Sequence, residues 1–119
     1  MASPERLSDA RPNYPASLAD AMVEHVSLGD LDRSPHAEVF PSDPRTVRLH
    51  LDAGESVPAH THPDADVVVY LVSGALELGV GDETFDLAPG DAVRFDGERA
   101  VAPSAVEESV ALVVLAQKT

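Results

Sequence analysis

Two histidines that are one residue apart, His60 and His62, are the residues of this chain best suited to chemistry. They open the stretch HTHPDADVVVYLVSG, residues 60–74. In an extended chain the side chains of residues i and i+2 point to the same face. Two neutral imidazoles placed in this way can bind one divalent metal ion such as iron, manganese, nickel or zinc. The spacing therefore predicts either a working metal site or a former one.

The third metal ligand is the open point. Catalytic metal sites commonly use three protein ligands, and Asp66 can add a carboxylate to His60 and His62. Two histidines and one carboxylate are the ligand type of non-haem iron(II) sites. Alternatively, Asp66 belongs to a turn or to the solvent face of the next strand, opposite Val67 and Val69. The predicted metal ligands are His60, His62 and Asp66, and a site that holds no metal is the alternative.

The other candidate residues point less clearly to a site. His50 lies on the face opposite the apolar residues of its strand, so we expect it on the surface or at a subunit contact. His25 and His36 fall in an irregular segment and are expected to be surface residues. Arg94 and Arg99 are expected to pair with nearby acids, and binding of a carboxylate substrate is the alternative.

The charge balance limits the possible partners. The 119 residues include 21 Asp and Glu but only 8 Lys and Arg, for a formal net charge of −13. Such a chain repels nucleic-acid phosphates and anionic membrane surfaces, so neither is an expected partner. There is no cysteine, no apolar run near the roughly 20 residues that cross a bilayer, and no signal-peptide pattern at the N-terminus. We expect a soluble, cytoplasmic protein.

The acidic composition also suggests an adaptation to salt. Lys118 is the only lysine among many carboxylates, and the apolar residues are largely alanine and valine, a composition that resembles proteins of salt-loving archaea and bacteria. At molar salt the Debye length falls to about 3 Å, which screens the excess charge. The halophilic interpretation predicts a melting temperature that rises steeply with salt. An ordinary acidic protein from a high-GC genome predicts a flat response.

Proline content divides the chain near residue 44. Residues 1–43 are predicted to form an N-terminal arm that packs on the following domain, and residues 44–119 form that domain. Within the arm, residues 17–25 suit a short helix with Ser17 as its cap. The apolar residues Val23, Val26 and Leu28 equally permit a strand. Both alternatives stay open for this segment.

Strand patterns dominate after residue 44. Alternating or β-branched runs predict strands over residues 46–51, 67–72, 76–80, 84–87, 92–95 and 109–116, and residues 56–62 are predicted to be extended. Gly81-Asp82 and Pro89-Gly90 mark turns between them. Some eight short strands without a convincing helix predict an all-β antiparallel sandwich or barrel.

The motif spacing resembles the cupin superfamily. Gly54, His60-Thr-His62 and Gly74 follow the spacing of its first motif, G-x5-H-x-H-x3/4-E-x6-G. Leu87-Ala-Pro-Gly-Asp91, leading into Phe95-Asp96-Gly97, is similar to the second motif, G-x5-P-x-G-x2-H-x3-N. The resemblance extends from about Arg45 to Ala116. It implies a jelly-roll barrel, also called a double-stranded β-helix.

The resemblance also implies a metal site that this chain has partly lost. The motif glutamate falls on Val67, unless Asp66 replaces it, and the second-motif histidine falls on Val101 or Ala100. Two valines in one cavity predict a drier, more apolar pocket that binds a small molecule, with a divalent metal at the His-x-His pair as a further possibility. The alternative is a metal-dependent dioxygenase or isomerase, so the sequence leaves open whether the protein is an enzyme. Small cupins commonly form homodimers, which is the expected assembly.

Overall fold

Eight antiparallel strands in two sheets make up the part of the chain that the computed structural model describes, residues 23–118. Their bounds are β1 (His36–Phe40), β2 (Arg45–Leu51), β3 (Ala65–Ser73), β4 (Leu76–Val80), β5 (Glu83–Leu87), β6 (Ala92–Asp96), β7 (Val101–Ala105) and β8 (Ser109–Gln117). One sheet has the order β1-β2-β8-β3-β6, and the other has the order β5-β4-β7. This double-sheet jelly roll confirms the predicted all-β barrel.

The core lies between the two sheets and follows the alternation of the strands. On β3, Val67, Val69 and Leu71 are 0, 3 and 0% exposed. Leu76 and Leu78 of β4 face them from the second sheet and are each 1% exposed. Because strand side chains alternate between faces, the residues between these point outwards. The alternation in the sequence thus determines which face of each strand forms the core.

The segment between β2 and β3 is extended, as predicted, and runs beside β7. It forms isolated bridges from Ser56 to Ser104 and from His60 to Val101. The Val57 amide also donates to the Pro103 carbonyl at 2.9 Å. Through these bonds the second sheet holds the segment that carries the histidine pair.

The described part of the N-terminal arm contributes to the first sheet. The predicted helix or strand over residues 17–25 lies largely outside the described residues; residues 23–27 form neither element, and a 3₁₀ helix spans Leu28–Asp30. β1 then pairs with β2 at the edge of the five-stranded sheet. Arg48, only 8% exposed, donates to the Leu28, Leu31 and Arg33 carbonyls and so attaches this segment to the sheet. Over residues 23–118, no helix is long and apolar enough to cross a membrane.

Candidate functional site

A cavity of about 550 Å³ lies between the two sheets. Its interior walls are apolar: Val67, Leu78 and Val69, for example, are at most 3% exposed. Its polar lining residues are all exposed or half-buried, which places them at the opening. We call these the rim: Asp32, Arg33, His36, Glu38, Arg45, His60 and His62. The cavity therefore combines an apolar interior with a polar opening.

Backbone hydrogen bonds fix the position of His60. Its amide donates to the Val101 carbonyl at 3.1 Å, and its carbonyl accepts from the Val101 amide at 2.8 Å. The residue therefore forms a two-bond bridge to β7 at the cavity wall. Because two main-chain hydrogen bonds hold the residue, the Cα atom that carries the imidazole has a fixed position.

Gly97 positions His62 in a similar way. The His62 amide donates to the Gly97 carbonyl at 2.7 Å, and the Gly97 amide donates to the Ala65 carbonyl at 2.8 Å. A Cβ atom on residue 97 would collide with the carbonyl oxygens of both His62 and Ala65. Only glycine allows the two backbones to approach so closely. The glycine that the sequence places in the second motif thus supports the first motif.

The two imidazoles lie edge to face at the rim. Their ring centroids are 4.8 Å apart, and the ring planes meet at 83°. The Nδ1 atom of His60 is 3.0 Å from the Pro58 carbonyl oxygen. Since a carbonyl can only accept, Nδ1 carries the proton, and in the neutral ring the lone pair is on Nε2. His60 can therefore accept a hydrogen bond or bind a metal through Nε2.

The surroundings of His62 and His36 favour the neutral form of these two rings. Burial lowers the pKa of His62 below its ordinary value of 6.5, and the positive charges of His60, Arg45 and His36 lower it further. Burial, followed by the charges of His60 and Arg45, also lowers the pKa of His36. Desolvation and like charges both disfavour imidazolium. Near neutral pH these two rings are uncharged and can each donate or accept a hydrogen bond.

The structure brings together two of the three predicted ligands, His60 and His62. Asp66 is exposed and lies on the face of β3 opposite Val67, which lines the cavity. In the β3–β6 pair it is next to Asp96. The one-residue slip that would turn Asp66 inwards is therefore absent from this register. Metal binding by all three residues stays a prediction, and the position of Asp66 gives it no support.

Val67 and Val101, where the motif spacing places missing ligands (with Ala100 as the alternative to Val101), both lie in the cavity wall. Val67 is 0% exposed and Val101 is 5% exposed, and both line the cavity. Val101 is the residue that bridges to His60. The expectation of two valines in one cavity is confirmed, and they make the wall beside the histidines apolar.

His36 is the rim residue that sequence reasoning missed. In the β1–β2 pair, His36 is opposite Leu49 and Glu38 is opposite Val47. Directly paired residues share a sheet face, so His36 and Glu38 point to the cavity side with those core residues. The alternation in HAEVF was the available signal for a strand. Sequence reasoning placed His36 in the irregular N-terminal part as a surface residue; its side chain is exposed, but it also lines the cavity opening.

An ion pair at the rim was also not foreseen. The Arg45 Nε atom donates to Glu38 Oε2 at 2.9 Å, and Nη2 donates to the same oxygen. The hydrogen bond to Glu38 raises the pKa of Arg45. Arg94 and Arg99, the arginines singled out from the sequence, do not line the cavity. The arginines at the opening are Arg45 and Arg33 instead.

His50 lies outside the cavity, which confirms the expectation for it. Its Nε2 atom is 2.9 Å from Glu108 Oε2 and 3.9 Å from Asp52 Oδ1. Its Nδ1 atom is 2.8 Å from the Ser34 hydroxyl. We call His50, Asp52 and Glu108 the outer cluster.

The four-ligand metal centre implied by the cupin resemblance does not fit the rim. Within residues 23–118, three or more His, Asp or Glu ligand atoms come within 4.8 Å of one another only in the outer cluster. At the rim, His60 and His62 supply two imidazole nitrogens, and the motif spacing places the remaining two ligands at Val67 and at Val101 or Ala100. Two nitrogens fall short of the three protein ligands that a catalytic site commonly has.

Solved structures with the same fold support this architecture. The protein TT1209 from Thermus thermophilus has 27% identity and a TM-score of 0.69, with 82% of this chain and 100% of that chain covered. KdgF from Halomonas sp. has 22% identity and a TM-score of 0.67, covering 82% and 96%. The cupin domain of Schizosaccharomyces pombe Cnp3 has 17% identity and a TM-score of 0.71, covering 79% and 69%.

The family assignment rests on the sequence match together with this fold. No curated protein matches the chain. The cupin domain model matches residues 47–116, more than half of the chain. This span includes the histidine pair, Gly97 and the strands from β3 to β7, whereas β1, which carries His36 and Glu38, precedes it. The chain belongs to the cupin family.

Proposed function

We propose that this cupin binds a small molecule with a mainly apolar body in the cavity between its sheets. The observation that carries the proposal is the distribution of polarity along the lining: buried walls such as Val67 and Leu78 are apolar, and every polar lining residue is at the rim. Ligand pockets of about 300–1,000 Å³ commonly have this composition, with a few polar groups that orient the ligand. The volume of about 550 Å³ falls within that range.

His60 and His62 are the proposed orienting groups. The bond between His60 Nδ1 and the Pro58 carbonyl leaves the Nε2 lone pair of His60 available as an acceptor. His62 is neutral because burial and nearby positive charge lower its pKa. Two adjacent imidazoles can together accept and donate hydrogen bonds to a polar group of the ligand. They would hold the polar end of the ligand at the opening while its body fills the cavity.

A binding measurement with a cavity-filling substitution tests this proposal. 2-Naphthamide is an uncharged bicyclic probe whose fluorescence reports binding. We expect saturable binding to the wild-type protein, and Val101→Phe or Val113→Phe to weaken it, since both valines line the cavity. Val106→Phe is the matched control because Val106 is 66% exposed. Absence of saturable binding, or equal affinity for the wall variants with an unchanged melting temperature, would overturn the proposal.

The second candidate function keeps a divalent metal on the histidine pair. Its support is the 4.8 Å separation of the His60 and His62 rings at the opening and the free Nε2 of His60. Metal content after loading an untagged protein with iron, manganese, nickel or zinc tests it. Stoichiometric metal that disappears in the His60→Ala/His62→Ala double variant would support the metal-dependent enzyme. A metal-free wild-type protein after loading would remove it.

The expected homodimer has a surface on which a second copy would pack. The outer face of the five-stranded sheet carries Tyr70 and Val72, 41 and 39% exposed, beside the half-buried Val68, Leu112 and Val114. Apolar side chains on a sheet face commonly mark a contact surface. Light scattering on the wild-type protein and on Tyr70→Asp measures the assembly, and a wild-type monomer would contradict this expectation.

A further inference from the structure

The rim lacks the excess of negative charge that the rest of the molecule carries. The chain has more than twice as many acidic as basic residues and a net charge of −13. At this one opening, however, two arginines balance two acidic residues: Arg33 and Arg45 lie with Asp32 and Glu38. Three of the five histidines of the chain also line it, namely His36, His60 and His62. The opening is therefore one of the few places in this acidic chain where basic groups are not outnumbered by carboxylates.

The Arg45 guanidinium has hydrogen-bond donors that Glu38 does not use. Glu38 uses one edge of it, because Nε and Nη2 both donate to the single oxygen Oε2. Among the hydrogen bonds within residues 23–118, none uses Nη1 of Arg45. The Nη1–Nη2 edge of an arginine matches the two oxygens of a carboxylate. Since Arg45 lines the cavity opening and is about half exposed, a ligand can reach that edge.

Arg45 is a permanent positive charge beside the rim histidines. It lines the same opening as His36, His60 and His62. A guanidinium with an unused edge at the mouth of an apolar cavity favours an anionic group over a cationic one.

We propose that the ligand is a monocarboxylate with an apolar body, such as an aryl or branched alkyl carboxylic acid. This inference rests on the proposed small-molecule function and specifies its ligand class. The apolar body occupies the cavity against walls such as Val69 and Leu78. The carboxylate lies at the opening, where the Nη1–Nη2 edge of Arg45 donates to it and the neutral imidazole of His62 adds a further donor. Burying the apolar part and pairing the charge then favour the same orientation.

A pair of probes of the same shape tests the charge preference. 2-Naphthoate is ionised at pH 7, whereas 2-naphthamide is neutral and otherwise similar. We expect the wild-type protein to bind the carboxylate about tenfold more tightly than the amide, the effect of roughly one charge-assisted hydrogen bond. The preference should fall as salt is raised, since the Arg45 side chain is exposed.

Two substitutions with opposite effects assign the preference to Arg45. Arg45→Gln should abolish the advantage of 2-naphthoate, whereas Glu38→Gln should increase it because the guanidinium is released. Arg94→Gln is the matched control, since Arg94 lies on the outer face of β6 and does not line the cavity. In Arg94→Gln the affinities for both probes should stay unchanged. For Arg45→Gln and Glu38→Gln the ratio of the two affinities is compared with the wild-type ratio, so that a change in the cavity that affects both probes cancels.

The outcomes separate this inference from the proposed function. Equal wild-type affinity for both probes would overturn the carboxylate preference and leave small-molecule binding standing. If neither probe binds, the proposed function fails and this inference fails with it. An unchanged preference in Arg45→Gln, or one that Glu38→Gln does not increase, would overturn the assignment to Arg45.

Discussion

The rim and the outer cluster place histidines in opposite surroundings within one small barrel. At the rim, His36, His60 and His62 lie near one another and near Arg45. In the outer cluster, His50 lies between two carboxylates, with Glu108 at 2.9 Å. The residue type is the same, but the neighbours differ in charge. Neighbours therefore set the surroundings of each histidine: a guanidinium shares the opening with the rim histidines, whereas carboxylates flank His50.

The exposure of the interacting groups also differs between the two places. The buried Gly97 holds the turn at His62 through main-chain hydrogen bonds. In the outer cluster the backbone of His50 lies within β2, but the carboxylates that contact its ring belong to Asp52 and Glu108, whose side chains are 71 and 67% exposed. Exposed ion pairs contribute little to folding. Substitutions should therefore have large effects beneath the rim and small effects in the outer cluster.

Gly97→Ala should displace the turn that carries His62 and cause the largest loss of stability among these substitutions. The new Cβ atom would collide with the His62 and Ala65 carbonyl oxygens, so the turn must move. We expect the free energy of unfolding to fall by about 2–3 kcal/mol, near the upper end for overpacked sites, and 2-naphthamide binding to weaken. Denaturant unfolding and fluorescence titration measure the two effects.

Gly29→Ala is the matched control for that substitution. Nothing lies within 4 Å of a Cβ atom at residue 29. We expect stability and probe binding to remain as in the wild-type protein. Similar behaviour of the two alanine variants would contradict the supporting role of Gly97.

Arg48→Met should affect both the rim and the outer cluster, because the segment that Arg48 binds contacts both of them. Its guanidinium donates to carbonyls between Leu28 and Arg33; Leu31 and Arg33 line the cavity, and Ser34 contacts His50. Methionine keeps much of the apolar stem and loses the donors. We expect a loss of about 2 kcal/mol, typical of hydrogen bonds that involve a charged group. Arg94→Met, an exposed control, should change stability by less than about 0.5 kcal/mol.

Acidification should weaken the fold through the rim, with a smaller effect than either substitution. The pKa values of His36 and His62 are lowered from 6.5 in the folded state. As the pH falls, the unfolded chain takes up these protons first. Their contribution to stability is therefore complete above about pH 6.5 and declines as the pH falls below it.

A double variant isolates this pH effect. In chelator-containing buffer, the melting temperature of His36→Gln/His62→Gln should fall less steeply than that of the wild-type protein between pH 7 and pH 5. Carboxylates titrate in both proteins, so the difference between the two profiles is the informative quantity. Parallel profiles would show that the two rings contribute nothing.

Glu108→Gln should have the smallest effect. It replaces the closest carboxylate of His50, in an exposed pair that contributes less than about 1 kcal/mol. Glu107→Gln, at the adjacent exposed position, is the control. A loss well above that limit would show that the outer cluster supports the fold, and the contrast with the rim would then not hold.

The sequence predicted the barrel well because alternation and turn glycines are local signals. The strands from β2 to β6 and β8 lie within a few residues of the predicted ranges, and Val47, Leu49 and Leu51 share the buried face. Which face Asp66 occupies was left open, because a shift of one residue in the turn reverses every following side chain. Only the pairing of β3 with β6 and β8 decided this register.

The polar part of the site was harder to predict because it depends on contacts between distant segments. His36 and Glu38 reach the cavity through the pairing of β1 with β2. Arg45 begins β2, and Glu38, its partner at the rim, lies seven residues earlier on the neighbouring strand β1. No local pattern shows that these segments share one opening with His60. Alternation could have predicted that β1 is a strand, but not that β1 pairs with β2.

The hydrogen bonds between Gly97 and the turn at His62 fix the backbone of the site without using its side chains. The bonds that hold the turn are main-chain bonds, so they do not depend on the side chains at residues 62 and 65. Wall positions such as Val67 and Val101 can therefore exchange a metal ligand for a hydrocarbon without displacing the histidines. A scaffold built in this way lets a lineage change its ligand by single substitutions while the barrel stays folded. Val67 and Val101 in the cavity wall are the kind of residues that such a change would introduce.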